Sequence, residues 1–375
     1  MRAPRSSAWM TGRREMAYLM QGLRGLPRYE PGEHEEGEGF VRLNTNESPF
    51  PPSPGVAQAV AEQIDRLQFY NDPDCAALRA AFAKVIGVTP DCVLAGNGSD
   101  EVLYWAFMAF ADASHPILLP DVTYSYYDLF AAALGIPLER APLKDDYTVD
   151  VSDYCGAGRN VLLANPNAPT GYALPVSAIE RIVRSNPQSV VIIDEAYADF
   201  GAESCVMLTQ RYPNLLVTRT FSKARSLAGA RIGFAVGCPA LIEELNSVRN
   251  AVNLYSVSRM AQAAGEAACR ENDYYMNNCR RIVASRAYAT QALRDRGFTV
   301  LDSVTNFVFA RCGFMDAAAL QRALRVRGFL VRRWDAPRIA DWCRITIGTQ
   351  AQMEALIAAI DDIKKEGDAH AQRAD

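Results

Sequence analysis

The residues able to do chemistry in this chain concentrate between Thr218 and Phe234. The run reads Thr-Arg-Thr-Phe-Ser-Lys-Ala-Arg-Ser-Leu-Ala-Gly-Ala-Arg-Ile-Gly-Phe. Its useful parts are Ser222-Lys223 and, eight residues beyond the lysine, Arg231. A lysine amine adds to aldehydes, and a hydroxyl and a guanidinium nearby hold phosphate, so the trio suits a phosphorylated aldehyde such as pyridoxal phosphate. Keeping a pyridine nitrogen protonated takes a charged partner, and Asp194 supplies one at the end of Val190-Val-Ile-Ile-Asp. A Ser-Lys pair alone is usually just solvated on a helix; its spacing to Arg231 and the upstream Asp194 raise it above that reading.

Further candidates lie around this nucleus. Gly96-Asn97-Gly98-Ser99-Asp100-Glu101 puts glycines and a hydroxyl at a strand-to-helix junction, where free N–H groups make an anion site; a plain helix cap is the competing reading. Tyr197, three residues after Asp194, can donate to a ring oxygen, or be a half-buried structural tyrosine. Tyr124 can stack on a ring face, with Tyr126 and Tyr127 as alternatives. Arg344 interrupts an apolar run, Trp342-Cys-Arg-Ile-Thr-Ile-Gly348, and its planar fork fits a carboxylate; a structural ion pair would explain it equally well.

The elements that must position these residues follow from hydrophobic patterning. Apolar runs at 93–95, 117–119, 161–164, 190–193, 215–218 and 232–236 alternate with helical stretches, the pattern of a parallel α/β sheet. Each candidate sits just past the carboxyl end of a strand, where ligands collect in open sheets. Beyond residue 265 the texture changes. Strands are expected at 298–301, 306–310, 329–332 and 343–347, and helices over 274–296, 317–327 and 350–364. The expected organisation is a large domain over 45–265 and a smaller α+β domain from 1–44 and 266–375, with a mobile extension over about 1–20.

Composition narrows the classes further. With 375 residues, 49% hydrophobic, the chain can bury substantial cores, and a net charge of −4 offers no electrostatic case for nucleic acid. Nine scattered cysteines without a Cys-x-x-Cys suggest reduced thiols in the cytoplasm. Three histidines, none in a motif, argue against a histidine metal site. No apolar run is long enough to span a membrane. Arg2, Arg5, Arg13 and Arg14 faintly resemble a targeting peptide, but the apolar stretch behind them is too short for a secretory signal.

Taken together, these segments resemble the fold-type-I pyridoxal-phosphate aminotransferases, and more narrowly the histidinol-phosphate aminotransferase group. The resemblance covers roughly residues 26–365. It rests on Leu26-Pro-Arg-Tyr-Glu-Pro-Gly32, Leu43-Asn-Thr-Asn-Glu-Ser-Pro49, Tyr70-Asn-Asp-Pro73, Gly98-Ser-Asp-Glu101, Pro166-Asn-Ala-Pro-Thr-Gly171, Asp194-Glu-Ala-Tyr197, the lysine segment, Thr305-Asn-Phe307 and Arg344-Ile-Thr-Ile-Gly-Thr349.

By that resemblance Lys223 is the residue that bonds the cofactor and shuttles the proton. Ser99, Asp100, Ser222 and Arg231 anchor the phosphate, and Tyr70 reaches it from the other subunit of a homodimer. Tyr124 stacks on the ring, Asp194 holds its nitrogen and Tyr197 its oxygen. Arg344 takes a carboxylate; Arg332 and Tyr29 are candidates for the substrate's phosphate, and Asn46 for substrate contact. The chain departs from the family pattern at Ala168, where a second asparagine is usual, leaving Asn167 as a possible substitute or Tyr197 to act alone. The implied reaction moves an amino group from a small amine, histidinol phosphate first, to 2-oxoglutarate in a ping-pong cycle. An aromatic aminotransferase and a decarboxylase of a phosphorylated amino acid share most of these motifs. A non-catalytic cofactor-sensing regulator would need a DNA-binding module, which residues 1–44 are too short to supply.

Overall fold

The computed structural model describes residues 18–26, 32–33 and 39–374. Among the described residues, twelve strands form two sheets. The smaller contains β1 (Val41–Leu43). The larger takes the next seven: β2 (Val93–Gly96), β3 (Ile117–Pro120), β4 (Leu138–Ala141), β5 (Asn160–Ala164), β6 (Val191–Asp194), β7 (Leu215–Thr220) and β8 (Gly233–Val236). The smaller sheet is completed by β9 (Thr299–Val300), β10 (Phe307–Arg311), β11 (Phe329–Arg333) and β12 (Cys343–Thr346).

In the large sheet the order is β2-β8-β7-β6-β5-β3-β4, parallel except for β8, which runs antiparallel to both neighbours. This is the mostly parallel α/β fold expected from the sequence. Its inner strands are largely apolar because both faces are covered. Along β6, Val191 and Ile193 pack into one core with Phe82, Phe221 and Phe234, while Ile192 points to the opposite core with Trp105, Phe107 and Tyr127. The next position with the orientation of Ile192 is Asp194, which therefore faces Tyr127.

The small sheet runs β1-β11-β12-β10-β9, with β1 parallel to β11 and the rest antiparallel. Helices Asn272–Arg294, Ala317–Val326 and Gln350–Ala374 accompany it. Two strands were not anticipated: β1 has only three residues, and β4 reads Leu-Glu-Arg-Ala because it lies at an edge. Of the strand expected at 298–301, only Thr299 and Val300 pair. The last helix continues well past residue 364, to Ala374.

Candidate active site

The carboxyl ends of the large-sheet strands, the segment after β1 and the loop between β11 and β12 enclose a cavity of about 540 Å³. Lys223, three residues past β7, reaches into it, and its Nζ donates to the Thr45 carbonyl at 3.1 Å. Burial, reinforced by the positive charge of Arg344, holds its amine down at about 8. A lysine so tuned is a usable nucleophile near neutral pH.

Asp194 closes β6 with little exposure, and its two oxygens are separately held. Tyr127 donates its hydroxyl to Oδ2 at 2.8 Å, and Thr218 of β7 donates to Oδ1 at 3.0 Å. Burial still pushes the carboxyl up to about 6 against those bonds. A cation placed against it, such as a protonated pyridine, would keep it ionised. Behind it, Glu195 is turned into the protein and ion-paired with Arg219 of β7 at 2.9 Å; Arg219 also reaches Asp199 at 2.8 Å.

Opposite the carboxylate lies a cradle built for an anion. Ser99 and Asp100 open the helix Ser99–Phe110, whose first N–H groups have no intrahelical partner. Gly98 has φ +89°, and a Cβ there would lie 2.5 Å from the Arg231 guanidinium. Gly233 lets β8 pass so close that a Cβ would lie 2.2 Å from the Ser99 nitrogen. Arg231 pairs with the Asp100 carboxylate at 3.1 Å and reaches the Ser222 hydroxyl at 3.5 Å. Asp100 also accepts from the Tyr124 hydroxyl at 3.1 Å. Its carboxylate therefore orients Arg231 and Tyr124, and what it can offer an anion is its backbone N–H.

Tyr124 lines the cavity, edge-on to Tyr127 at 5.3 Å; of the three neighbouring tyrosines, Tyr127 is the one that bonds Asp194. Tyr197 lines it as well, with the Lys223 amine 6.0 Å from its ring centre. Asn167 does not line the cavity. Its amide is engaged by Thr123, the Val122 carbonyl and Thr170, all within 3.0 Å, so it shapes the loop and is not free to replace the amide absent at Ala168, which does face the cavity. Asn46 is nearly fully buried and lines the cavity; its side-chain NH2 donates to Tyr197 and its oxygen accepts from Thr346, so most of its bonding capacity goes to these two residues.

Arg332 and Arg344 lie directly opposite each other on β11 and β12, and both line the cavity. Trp334 lies beside both guanidinium groups, at 5.4 and 5.2 Å. Arg344 also donates to the Asn44 carbonyl at 2.8 Å. At the rim Arg338 bridges to Asp121 and to the Leu143 carbonyl, tying the β11–β12 loop to the large sheet. Tyr70 is 80% exposed, stacked on Tyr255 and outside this chain's own cavity. Tyr29 lies outside the described residues. Sequence reasoning passed over Thr218, Trp334 and Thr45. Of these, Thr218 carries a local signal, a hydroxyl that follows the apolar run Leu215-Leu-Val217.

An amine, a buried carboxylate and an anion cradle in one cavity fit a phosphorylated pyridine aldehyde. No helix among the described residues is long and apolar enough to cross a membrane.

Residues 38–360 match the family described as aminotransferase class I and II, and the chain belongs to that family. It is 47% identical over 350 residues to histidinol-phosphate aminotransferase 2 of Burkholderia lata, covering 92% of this chain and 99% of that one. It is 46% identical over 339 residues to the histidinol-phosphate aminotransferase of Acetobacter pasteurianus, covering 90% and 95%. Among solved structures, the histidinol-phosphate aminotransferase of Sinorhizobium meliloti in complex with pyridoxal-5′-phosphate has a TM-score of 0.79 at 28% identity, over 87% of this chain and 91% of that one. L-threonine-O-3-phosphate decarboxylase of Porphyromonas gingivalis, 21% identical with a TM-score of 0.73 over 87% and 99%, shares the fold.

Proposed function

We propose that this chain is a pyridoxal-phosphate-dependent aminotransferase that takes the amino group of histidinol phosphate and passes it to 2-oxoglutarate, both partners using one site in turn. The observation that carries the substrate class is the cross-strand pair Arg332 and Arg344. Both guanidinium groups face the cavity that holds Lys223, so an anionic substrate entering it meets two planar, positively charged forks. The relatives' names supply the particular amine.

When bound, pyridoxal phosphate supplies an aldehyde and an electron-withdrawing ring that makes the α-proton of an amine labile. Arg231, Ser222 and the start of the helix Ser99–Phe110 hold its phosphate. Asp194, fixed by Tyr127 and Thr218, would keep its ring nitrogen protonated, Tyr197 would donate to its ring oxygen, and Tyr124 would cover a face of the ring. Lys223 would hold the aldehyde through Nζ, and its amine is placed to accept and return a proton at the substrate's reacting carbon. Arg344 orients a carboxylate and Arg332 a substrate phosphate, with Tyr29 assigned to that phosphate from the sequence alone.

The enzyme works as a homodimer with shared sites, in the cytoplasm. Tyr70, Phe69, Leu67 and Tyr255 are exposed, an apolar surface suited to a second copy, and from it Tyr70 would extend toward the partner's phosphate cradle. All nine cysteines are unpaired, which suits a reducing compartment.

The test incubates the enzyme with histidinol phosphate, histidinol, aromatic amino acids and phosphorylated amino acids, reading glutamate formed from 2-oxoglutarate against carbon dioxide released. Glutamate from histidinol phosphate, far above that from histidinol, is expected. Arg332→Ala should remove that preference, and Arg344→Ala should impair 2-oxoglutarate. Carbon dioxide as the main product, or equal rates with and without the phosphate, would overturn the assignment.

A further inference from the structure

Tyr197 and the small sheet are joined by a buried chain of hydrogen bonds whose polarity can be read. The Asn46 backbone N–H donates to the Thr346 hydroxyl at 3.0 Å. That hydroxyl keeps one hydrogen of its own, and the Asn46 side-chain oxygen lies 3.0 Å away to accept it. The opposite amide orientation would leave the threonine hydrogen without an acceptor, so the Asn46 oxygen faces Thr346 and its NH2 faces Tyr197, donating to the phenolic oxygen at 2.9 Å. Asn306 completes the anchorage by donating to the Asn46 carbonyl at 2.9 Å, while its own carbonyl accepts from Ile347 at 2.8 Å. Asn46 has φ +57°, a conformation asparagine tolerates better than most residues.

A tyrosine hydroxyl has one hydrogen to give. With Asn46 donating to its oxygen, and no acceptor for its hydrogen among the described residues, that hydrogen is left for the cavity that Tyr197 lines. We infer that Asn46 is a positioning residue: it fixes the Tyr197 hydroxyl as a donor toward the cofactor's ring oxygen, and, being held by Thr346 and Asn306, makes that donor depend on the docking of the small sheet. Ala168 offers no polar side chain on the same wall, so the orientation of Tyr197 carries the contact. This inference rests on the cofactor reading above.

Asn46→Asp keeps the shape and the acceptor for Thr346 but replaces the donor with a second acceptor, which draws the Tyr197 hydrogen away from the cavity. A donor at the ring oxygen favours the form in which the Lys223 nitrogen has lost its proton and the oxygen's charge is uncompensated; its loss raises the pH midpoint of the bound cofactor's absorbance change. The charged groups around Lys223 and Tyr197, namely Glu47, Asp100, Asp194, Arg231 and Arg344, are unchanged in every variant.

The experiment titrates the absorbance of the holoenzyme as wild type, Asn46→Asp, Tyr197→Phe and the double variant. The new carboxylate acts directly on the midpoint in both backgrounds, so the difference between backgrounds isolates the part that passes through Tyr197. A rise on the order of one pH unit with tyrosine present, at least twofold smaller with phenylalanine, is expected. Asn46→Gly, which suits the positive φ and adds no charge, should raise the midpoint by less, and only when Tyr197 is present. Equal shifts in both backgrounds would make Asn46 merely structural. A wild-type enzyme without a borohydride-reducible cofactor band would instead overturn the cofactor reading, and this inference with it.

Discussion

An amine that adds to an aldehyde must first lose its proton, and Lys223 is placed to lose it early. Burial and the neighbouring Arg344 charge bring its pKa down to about 8, from the 10.5 of an ordinary lysine. At pH 7.5 about a quarter of such amines are neutral, against about a thousandth for an ordinary lysine, an advantage of roughly 200-fold in nucleophile concentration. The assay mixes cofactor-free protein with pyridoxal phosphate and follows the visible band of the linked cofactor across pH, with Lys223→Ala as the blank. The capture rate should rise through pH 8 and then level off. Arg344→Gln should move the midpoint upward, because removing a cation relieves the pressure on the amine to stay neutral. The same depressed value has a stability consequence. Between about pH 8 and 10.5 the unfolded lysine binds more protons than the folded one, so the cofactor-free protein gains stability from this group as pH rises through that window. A capture rate that keeps climbing about tenfold per pH unit beyond pH 9 would refute the argument, since it would describe an ordinary solvated amine.

Three further outcomes follow from the same geometry. Asp194→Asn should retain cofactor yet lose at least about two orders of magnitude in turnover, because an amide cannot hold a ring nitrogen protonated; near-normal turnover would remove that role. Arg231→Ala should weaken cofactor affinity by about 1.5–3 kcal/mol, read as the dissociation constant by fluorescence titration, and unchanged affinity would place the phosphate elsewhere. Gly233→Ala should destabilise the cofactor-free protein by about 1–3 kcal/mol in urea melts, since its Cβ meets the backbone of Ser99 and Gly98; a wild-type midpoint would show that β8 and the helix can separate without loss.

The large sheet was legible because each of its buried strands is a short continuous apolar run, and Asp194 and Lys223 were legible because they break the pattern at strand ends. The finer roles depended on contacts that no local pattern encodes. Tyr124, Tyr126 and Tyr127 are alike in sequence, and only the direction in which the helix Tyr126–Leu134 presents Tyr127 gives it Asp194. Asn46 sits in a motif that pointed to substrate, yet its partners lie 151 and 300 residues away. Asn167 stands beside the missing amide in sequence, but its own amide is held by the Val122 carbonyl and Thr170, partners that no local pattern shows. β1 and β4 escaped notice because a three-residue strand and a charged edge strand carry almost no periodic signal.

The adjoining carboxylates at the end of β6 also bear on how the sheet assembles. Asp194 is registered against Thr218, while Glu195 turns away to pair with Arg219. A slip of one residue between β6 and β7 would reverse these orientations and bury both Glu195 and Arg219 away from their partners. Losing one member of a buried pair costs about 3–5 kcal/mol, a penalty added to the apolar mismatch of the misaligned strands. The ion pair thus acts as a checkpoint on folding: two neighbouring strands that both open on aliphatic residues could zip together in several alignments, and it penalises those that would turn Asp194 away from the cavity.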